Sequence, residues 1–381
     1  MKKLVSLFLA ATMALSMVAC GGGTTSTTEE PAGEETSSVE TQDKSSDGKY
    51  EIALVTDVGT IDDRSFNQGS WEGVVKYAEE NGISHKYYQP AEKSNEAITA
   101  SIELAIKGGA KTIVCPGFLF EVPVYNMQLK YPDVKFIIID GEPKSSDGED
   151  AEYVVAENTV AIYYEEQQAG FLAGYAAVKE GYRNLGFMGG IAVPAVIRFG
   201  YGFIQGADYA ALELGLNKDD IKINYTYVGN FDSSPDNMAK ASSWYNEGVE
   251  VIFACGGGVG NSVMKAAESI DGKKVIGVDV DQSFESETVI TSAMKNLQSS
   301  VYEELKAVYD GTFEGGKILT LGADTNNVLL PMETSKFENF TQEDYDAIYA
   351  KVVNNEVEIF DERAGEDASD IPVQLISLNV Q

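Results

Sequence analysis

The sequence predicts an α/β fold built from two doubly wound parallel-sheet lobes that face each other across a cleft. From Tyr50 onward, short apolar strands alternate with amphipathic helices, the pattern of βα units in parallel sheets. The chain has 381 residues, which suits two domains better than one. The two halves of the chain also repeat each other's strand endings, which indicates two lobes of similar plan.

The periodicity places the elements in alternating order along both halves. Strands are expected where apolar residues run without interruption, and helices where they recur at three- and four-residue spacing. In the first half we predict strands at 51–56, 84–88, 111–115 and 135–139, and helices at 66–80, 94–108 and 122–130. In the second half we predict strands at 184–189, 222–228, 250–255 and 274–278, and helices at 195–214, 236–247 and 260–270. A long helix over 163–180 follows the first crossover, and a return strand is predicted at 289–295.

Corresponding strands of the two halves end in the same residue types. Cys115 ends one apolar strand and Cys255 ends its counterpart, and at nearly equal spacing the next strands end at Asp140 and Asp279. Two such lobes across a cleft are the architecture of type I periplasmic binding proteins. We expect the two cysteines to be buried free thiols, although a disulfide between them is possible in an exported protein.

The amino terminus predicts export and lipid anchoring. Two lysines precede a short apolar run over 4–19, which is too short to span a bilayer and has the charge pattern of a signal peptide. The small residue before Cys20 resembles the bacterial signal for attaching a diacylglyceryl group to cysteine. We therefore expect a lipoprotein signal peptide at 1–19 and a lipid on Cys20, at the outer face of the cell membrane. An ordinary secretory signal with an incidental cysteine is the alternative.

The composition limits the partners that the folded part can have. Sixty Asp and Glu residues against 28 Lys and Arg residues give a net charge of −32. Such an acidic surface repels phosphate backbones, so we expect no nucleic-acid binding. Residues 20–48 are an acidic stretch of Ser, Thr and Gly that cannot bury a core, and we expect a disordered tether there.

The most informative stretch is 54–73, where a buried strand ends in a polar loop and a helix begins. Ser65-x-x-Gln68 predicts a capping box at the start of that helix. Apolar residues recur from Trp71 at helical spacing and give the helix one apolar face. Polar and aromatic side chains therefore gather at the carboxyl end of a strand, where open α/β sheets bind ligands. The side chains gathered there include Asp57, Phe66 and Asn67.

Enzyme chemistry finds little support in the motifs. A His-based mechanism would depend on His85, the one histidine of the sequence, which is predicted on the solvent face of a strand. No Gly-x-Ser-x-Gly elbow or Walker motif occurs. The loop 256–261 follows a strand and opens a helix, but Asn261 replaces the third glycine of the dinucleotide fingerprint. We expect no enzyme, and we interpret this glycine loop as a place where backbone approaches a small ligand.

Two kinds of binding site remain. The carboxylate pairs Asp62-Asp63 and Asp279-Val-Asp281 lack the glycine turn and the closing glutamate of a calcium loop, so we expect no metal. A solute cleft with aromatic walls fits better, because Phe66 and Phe231 each lie in a polar loop, and flat aromatic rings suit flat ligands. Other candidates for the cleft are Phe118, Phe120, Asp279 and Lys295.

The polar loop also resembles the signature of a known family. Thr-Asp57-Val-Gly-x-Ile-Asp-Asp-Arg-Ser-Phe66-Asn-Gln-x-x-Trp-Glu-Gly73 is similar to the signature of the basic membrane protein lipoproteins, the purine nucleoside receptors of ABC-type importers. A weaker resemblance covers roughly 50–295. It implies a type I periplasmic-binding-protein fold, a permease and an ATPase as partners, and attachment to the membrane by lipid. Under this resemblance, lobe 1 would comprise 49–162 and about 296–330, and lobe 2 would comprise 163–295 and about 331–381. We expect the chain crossings near 160–166 and 285–295 to act as hinges.

The resemblance implies roles for six residues. Phe66 and Phe231 would sandwich the base, Asp57 and Asn67 would meet its edge, and Asp279 and Lys295 would hold the ribose hydroxyls. The ligand would be guanosine, inosine or adenosine. The same fold with another aromatic solute such as a flavin, or with a sugar, is an alternative, and so is a sensory or regulatory lipoprotein.

Overall fold

The computed structural model describes residues 48–57 and 59–381, and its strands form two sheets. The strands are β1 (Ile52–Val55), β2 (His85–Tyr88), β3 (Thr112–Pro116), β4 (Lys135–Ile139), β5 (Thr159–Tyr164), β6 (Asn184–Gly189), β7 (Lys222–Tyr227), β8 (Val251–Cys255), β9 (Lys274–Asp279), β10 (Val289–Lys295), β11 (Lys317–Leu321), β12 (Val328–Leu329) and β13 (Ser377–Val380). The first sheet has the order β11-β5-β4-β3-β1-β2, and all its pairs are parallel. The second has the order β12-β10-β9-β8-β6-β7-β13, in which β10 and β12 pair antiparallel.

Helices cover both faces of each sheet, as parallel pairing requires. They are α1 (Phe66–Asn81), α2 (Asn95–Lys107), α3 (Glu121–Lys130), α4 (Glu166–Glu180), α5 (Pro194–Glu213), α6 (Pro235–Asn246), α7 (Gly258–Glu268), α8 (Leu297–Asp310) and α9 (Gln342–Val353). In the first lobe α2 and α3 bury one face of the sheet, while α1 and α8 cover the other. In the second lobe α6 and α7 face α4 and α5 across the sheet. The predicted doubly wound α/β class is confirmed. In the part of the chain that the structure describes, none of the helices has the length and apolar character of a membrane span.

The structure differs from the predicted elements mainly between the two halves. The helix predicted over 163–180 begins at Glu166, because 159–164 forms β5 between β4 and β11. This segment is rich in β-branched and aromatic residues, which favour a strand. The division into two lobes stays a prediction, and the sheet membership differs from its predicted limits by a few residues. Strand β5 extends the first lobe to Tyr164, and β12 returns the chain to the second lobe at Val328.

Within the described residues the chain passes between the lobes three times. The crossings are 164–166 after β5, 295–297 after β10, and 321–328 between β11 and β12. The second lies just beyond the predicted hinge at 285–295, because most of that range is β10 in the second sheet. Backbone hydrogen bonds join the crossings, from Glu165 N to Leu321 O at 3.0 Å and from Asn296 N to Asn327 O at 2.8 Å. The three crossings therefore lie side by side.

Helices α4 and α5 pack with their backbones almost in contact. A Cβ atom at Gly174 would lie 2.1 Å from the carbonyl oxygen of Phe203, and one at Gly206 would lie 1.9 Å from that of Phe171. Glycine is required at such a distance because no larger residue leaves room for the facing backbone. A Cβ atom at Gly202 would likewise lie 2.0 Å from the carbonyl oxygen of Gln167, so the close packing on α5 reaches the start of α4, next to the first crossing.

Candidate functional site

A cavity of about 390 Å³ lies where the carboxyl ends of the strands of the two lobes meet. The lining includes all six residues that the sequence analysis proposed as ligand contacts: Asp57, Phe66, Asn67, Phe231, Asp279 and Lys295. Asp57 follows β1, while Asp279 ends β9 and Lys295 ends β10. The structure therefore brings the six residues into one cavity, and their roles toward a ligand remain predictions.

Asp63, rather than Ser65, caps helix α1. Its carboxylate accepts hydrogen bonds from the backbone N–H groups of Ser65 at 2.9 Å, Asn67 at 2.9 Å and Gln68 at 3.1 Å. The predicted capping box is therefore wrong, because one carboxylate already satisfies these donors. The Ser65 hydroxyl is left free to donate to Oδ2 of Asp279, on the other lobe, at 2.5 Å. Burial raises the pKa of Asp63 to about 6, although the N–H groups favour the charged form.

Asp57 and Asn67 form a hydrogen-bonded pair at the wall of the cavity. Asn67 Nδ2 donates to Asp57 Oδ1 at 2.8 Å and to Asp63 Oδ2 at 3.0 Å, so both of its donors are engaged. The Gly59 N–H also donates to Asp57 Oδ1, at 2.7 Å. Burial raises the pKa of Asp57, and the bonds from Gly59 and Asn67 partly offset this effect. Because the amide hydrogens of Asn67 are used, the pair offers mainly acceptor oxygens to a ligand.

Phenylalanines line the cavity from both lobes. Phe66 begins α1, and Phe231 lies in the loop after β7. Phe231 packs closely over backbone, since a Cβ atom at Gly190 would come within 2.4 Å of its ring. Phe118 also lines the cavity. Phe120 was expected to face the cleft, and this is wrong, because its ring is fully buried in the core beneath α2 and α3.

Lys295 lies at the centre of a buried charge cluster. Its side chain is 2% exposed, and its ammonium contacts the carboxylates of Asp140, Glu166 at 3.4 Å and Asp279 at 3.6 Å. The Nζ atom also lies 4.6 Å from the centroid of the Phe66 ring, a cation–π distance. Burial alone would lower the pKa of Lys295, but Asp140, Asp279 and Glu166 outweigh it and raise that pKa above its ordinary value. Lys295 is therefore charged at neutral pH.

Asp140 and Asp279 are structural counterparts in the two lobes. Asp140 follows β4 and Asp279 ends β9. Both have a left-handed backbone, with φ of 54° at Asp140 and 67° at Asp279, a conformation that aspartate tolerates better than most residues. Both reach the ammonium of Lys295. Burial raises the pKa of Asp140 to about 6, although Lys295 opposes this. Asp140 was predicted only as a repeated strand ending and not as a site residue, although the repeat was the signal that could have found it.

Arg198 and Glu166 were also missed. Arg198 lines the cavity from α5, and its Nε donates to Glu166 Oε2, at the start of α4, at 2.5 Å. Burial alone would raise the pKa of Glu166, but Arg198 and Lys295 outweigh it and hold that pKa below its usual value. No local pattern marks either residue, because each acquires its partner through the packing of two helices.

The remaining candidates take other positions. The backbone of 256–258 lines the cavity, and so does Cys255. Cys115 and Cys255 are both buried free thiols, as predicted. His85 is buried against the ring of Trp71 rather than on a solvent face, with 8% exposure. Among the described residues, no three His, Cys, Asp or Glu side chains are grouped as metal ligands.

Comparison with known proteins identifies the family. Residues 50–363 match the family model described as ABC transporter substrate-binding protein PnrA-like. The ABC transporter nucleoside-binding protein BmpA of Lactococcus lactis subsp. cremoris is 29% identical over 308 residues, which cover 75% of this chain and 82% of that protein. An uncharacterized lipoprotein of Pyrococcus abyssi is 31% identical over 299 residues, which cover 76% of this chain and 70% of that protein.

Solved structures show the same fold. The crystal structure of an ABC transporter solute-binding protein from Aeropyrum pernix K1 superposes with a TM-score of 0.69 at 22% identity, covering 84% of this chain and 95% of that one. This likeness agrees with the type I periplasmic-binding fold that the two parallel-sheet lobes predict. The resemblance carried by the polar loop at 56–73 is confirmed, and the chain belongs to the PnrA-like family of ABC transporter substrate-binding proteins.

Proposed function

We propose that this protein binds purine nucleosides in the interlobe cavity and delivers them to an ABC importer, without catalysing a reaction. The observation that carries the proposal is the composition of one cavity. Two phenylalanines from different lobes lie together with the Asp57 and Asn67 pair and a buried lysine that is surrounded by carboxylates. The name of the Lactococcus lactis relative, a nucleoside-binding protein, supports the same ligand class.

The base would lie between Phe66 and Phe231. Stacking on aromatic side chains contributes about 1–3 kcal/mol per base, and every base has a face that can stack. Asp57 and Asn67 would meet the edge of the base, where their acceptor oxygens suit its N–H groups. A carboxylate acceptor in a buried wall gives orientation and specificity at the same time.

The ribose would lie at the charged end of the cavity. Carboxylates accept hydrogen bonds from hydroxyl groups, and an ammonium donates to hydroxyl oxygens. Asp279 and Lys295 would hold the two ribose hydroxyls, and Asp140 adds a third charged group at the same place. Asp140 Oδ1 is buried and has no hydrogen-bond partner among the described residues, so a ligand hydroxyl there would satisfy it.

Calorimetry of residues 48–381, which contain both sheets and the cavity, tests the ligand class. The panel contains guanosine, inosine, adenosine, free guanine, ribose and riboflavin. We expect the nucleosides to bind more tightly than guanine or ribose alone, because only they contact both ends of the cavity. The cavity lies near the lower end of the usual size range of ligand pockets, about 300–1,000 Å³, which favours a nucleoside over the larger flavin. Tighter binding of riboflavin or ribose would replace the proposal with that alternative.

The location is part of the same proposal. Cys20 and the predicted signal peptide at 1–19 lie outside the described residues, and the Pyrococcus abyssi relative is named as a lipoprotein. We propose lipid attachment at Cys20 on the outer face of the cell membrane. Cys20→Ala should release or misprocess the protein, and labelled fatty acid should no longer be incorporated. A variant that still takes up the label and fractionates with membranes would contradict the anchor.

Uptake separates an importer from a sensory lipoprotein. Cells that lack this protein should lose high-affinity uptake of labelled guanosine, and the parent gene should restore it. Unchanged uptake, with nucleoside binding confirmed in the purified protein, would favour the sensory role.

A further inference from the structure

Arg198 is held from two sides at the wall of the cavity. Its Nε donates to Glu166 Oε2 at 2.5 Å, and its Nη1 donates to Glu362 Oε1 at 2.9 Å. Glu166 is fully buried and also lies 3.4 Å from the ammonium of Lys295. Glu362 lies 164 residues further along the chain than Arg198, in the carboxyl-terminal part of the protein. A distant segment thus contributes one end of the charge cluster that lines the cavity.

The segment around Glu362 is fixed on helix α5. The side chain of Gln205 donates to the Phe360 carbonyl at 2.9 Å and accepts from the Phe360 N–H at 2.8 Å. The Tyr201 hydroxyl donates to the carbonyl of Gly365 at 3.3 Å. These bonds bracket Glu362 on both sides in sequence. Its carboxylate therefore has a defined position against Arg198.

The Glu362 carboxylate binds Arg198 through one of its two oxygens. Its second oxygen, Oε2, is buried and has no hydrogen-bond partner among the described residues. A buried, unsatisfied carboxylate oxygen is unfavourable for stability, and such features are commonly retained at functional sites. Glu166 has to serve two cations, Arg198 and Lys295. The Glu362 carboxylate, as a second partner of Arg198, holds the planar guanidinium in one orientation. Glu166 then keeps its position beside the ammonium of Lys295.

We infer that Glu362 is a positioning residue of the nucleoside site. It orients Arg198 against Glu166, and through Glu166 it keeps Lys295 in register with Asp279 at the ribose end of the cavity. The inference rests on the proposed function, because its effect is defined by nucleoside binding. Its consequence is specific: the loss of Glu362 should weaken the recognition of ribose and leave the recognition of the base nearly unchanged.

The test uses calorimetry with guanosine and free guanine on residues 48–381 and its variants. We expect Glu362→Ala to weaken guanosine binding on the order of tenfold and guanine binding little, with a smaller loss for Glu362→Gln, which keeps the hydrogen-bond acceptor. Glu358→Ala is the matched control, because Glu358 lies exposed in the same segment. It should leave both affinities as in the parent.

A double-mutant cycle shows whether Glu362 acts through Arg198. Lysine at position 198 keeps the charge but lacks the fork that reaches two carboxylates, so Glu362→Ala should cost little further affinity in an Arg198→Lys background. Full additivity of the two effects would overturn the inference, and so would equal losses for guanosine and guanine. A lowered melting temperature with an unchanged guanosine-to-guanine ratio would also overturn it, since that is the result of a purely structural role. A parent protein that binds no nucleoside would instead refute the proposed function itself.

Discussion

Replacing Asp279 by alanine should weaken nucleoside binding chiefly at the ribose. Asp279 Oδ1 lies 3.6 Å from the ammonium of Lys295, and Oδ2 accepts the hydroxyl of Ser65 at 2.5 Å. A ribose hydroxyl that donates to this carboxylate would form a charge-assisted hydrogen bond, which contributes about 1.5–3 kcal/mol. Because Ser65 already occupies one of the two oxygens, we expect the lower end of that range. A loss of about 1.5 kcal/mol corresponds to roughly a tenfold rise in Kd.

The assay compares guanosine with free guanine by calorimetry. Asp279→Ala should reduce the difference in affinity between guanosine and guanine, because guanine has no ribose hydroxyl that could lose a hydrogen bond to this carboxylate. Two variants serve as controls. Ser65→Ala removes one hydrogen bond between the lobes but keeps the Asp279 carboxylate, so it should leave the difference in affinity between guanosine and guanine unchanged. Asp271→Ala removes an exposed carboxylate before the amino end of β9, at the edge of the sheet away from the cavity, and should change neither affinity.

Two results would refute this reasoning. In the first, Asp279→Ala binds guanosine as tightly as the parent protein, which would place the ribose elsewhere. In the second, guanosine and guanine lose affinity equally, which would mean that Asp279 acts by closing the lobes through Ser65 rather than by contacting ribose. The Ser65→Ala variant identifies this second case, because it should then reproduce the loss.

Three further predictions follow from the same cavity. Gly190→Ala places a methyl group within 2.4 Å of the Phe231 ring and should displace it, so nucleosides and free bases should both lose on the order of 1–3 kcal/mol in calorimetry, the contribution of one stacking face. The pKa of Asp140 is raised by burial to about 6, above its unfolded value near 3.9, so the stabilising effect of its proton is complete below about pH 4 and is lost as the pH rises through 6. Urea unfolding of the parent and of Asp140→Asn at pH 7 and pH 4 should therefore show an extra gain in the parent at pH 4, on the order of 2–3 kcal/mol, and an equal pH dependence of the two would contradict it. Saturating guanosine should lower the radius of gyration in small-angle scattering, because a ligand that contacts Phe66 on one lobe and Phe231 on the other gains both contacts only when the cleft is closed; an unchanged radius with binding confirmed would indicate a rigid pocket.

The sequence predicts those site residues whose place depends on local structure. Phe66 and Asn67 lie in the first turn of a helix that follows the end of a strand. The twenty residues at 54–73 are enough to predict this arrangement. Even there, the choice of the capping residue was wrong. Asp63 and Ser65 are both good capping residues, and the loop geometry that decides between them is not a property of residue type.

The partners of Lys295 could not be predicted in this way. Asp140 and Glu166 lie 155 and 129 residues away from it in sequence. Glu166 meets it because α4 packs beside β10, and Asp140 meets it because the end of β4 in the first lobe faces the end of β10 in the second. The contact between Arg198 and Glu166 depends on the close packing of α4 and α5. The glycines allow this packing but do not determine which side chains it brings together. Motif reasoning therefore finds the half of the site that one loop carries, and the packing of distant elements supplies the charged half.

We expect the charge cluster to couple ligand binding in the cavity to the angle between the lobes. Glu166 is the last residue of the first crossing and Lys295 is the first residue of the second, so the ion pair between them joins two of the three chain connections between the lobes. Asp140 from the first lobe and Asp279 from the second reach the same ammonium. A buried charge tolerates little separation from its partners, because each ångström lost costs more in a low-dielectric interior than in water. A ligand that bonds to both carboxylates would therefore stabilise the one interlobe angle at which Lys295 meets them together, and its differential affinity for that angle is what would shift the equilibrium toward closure.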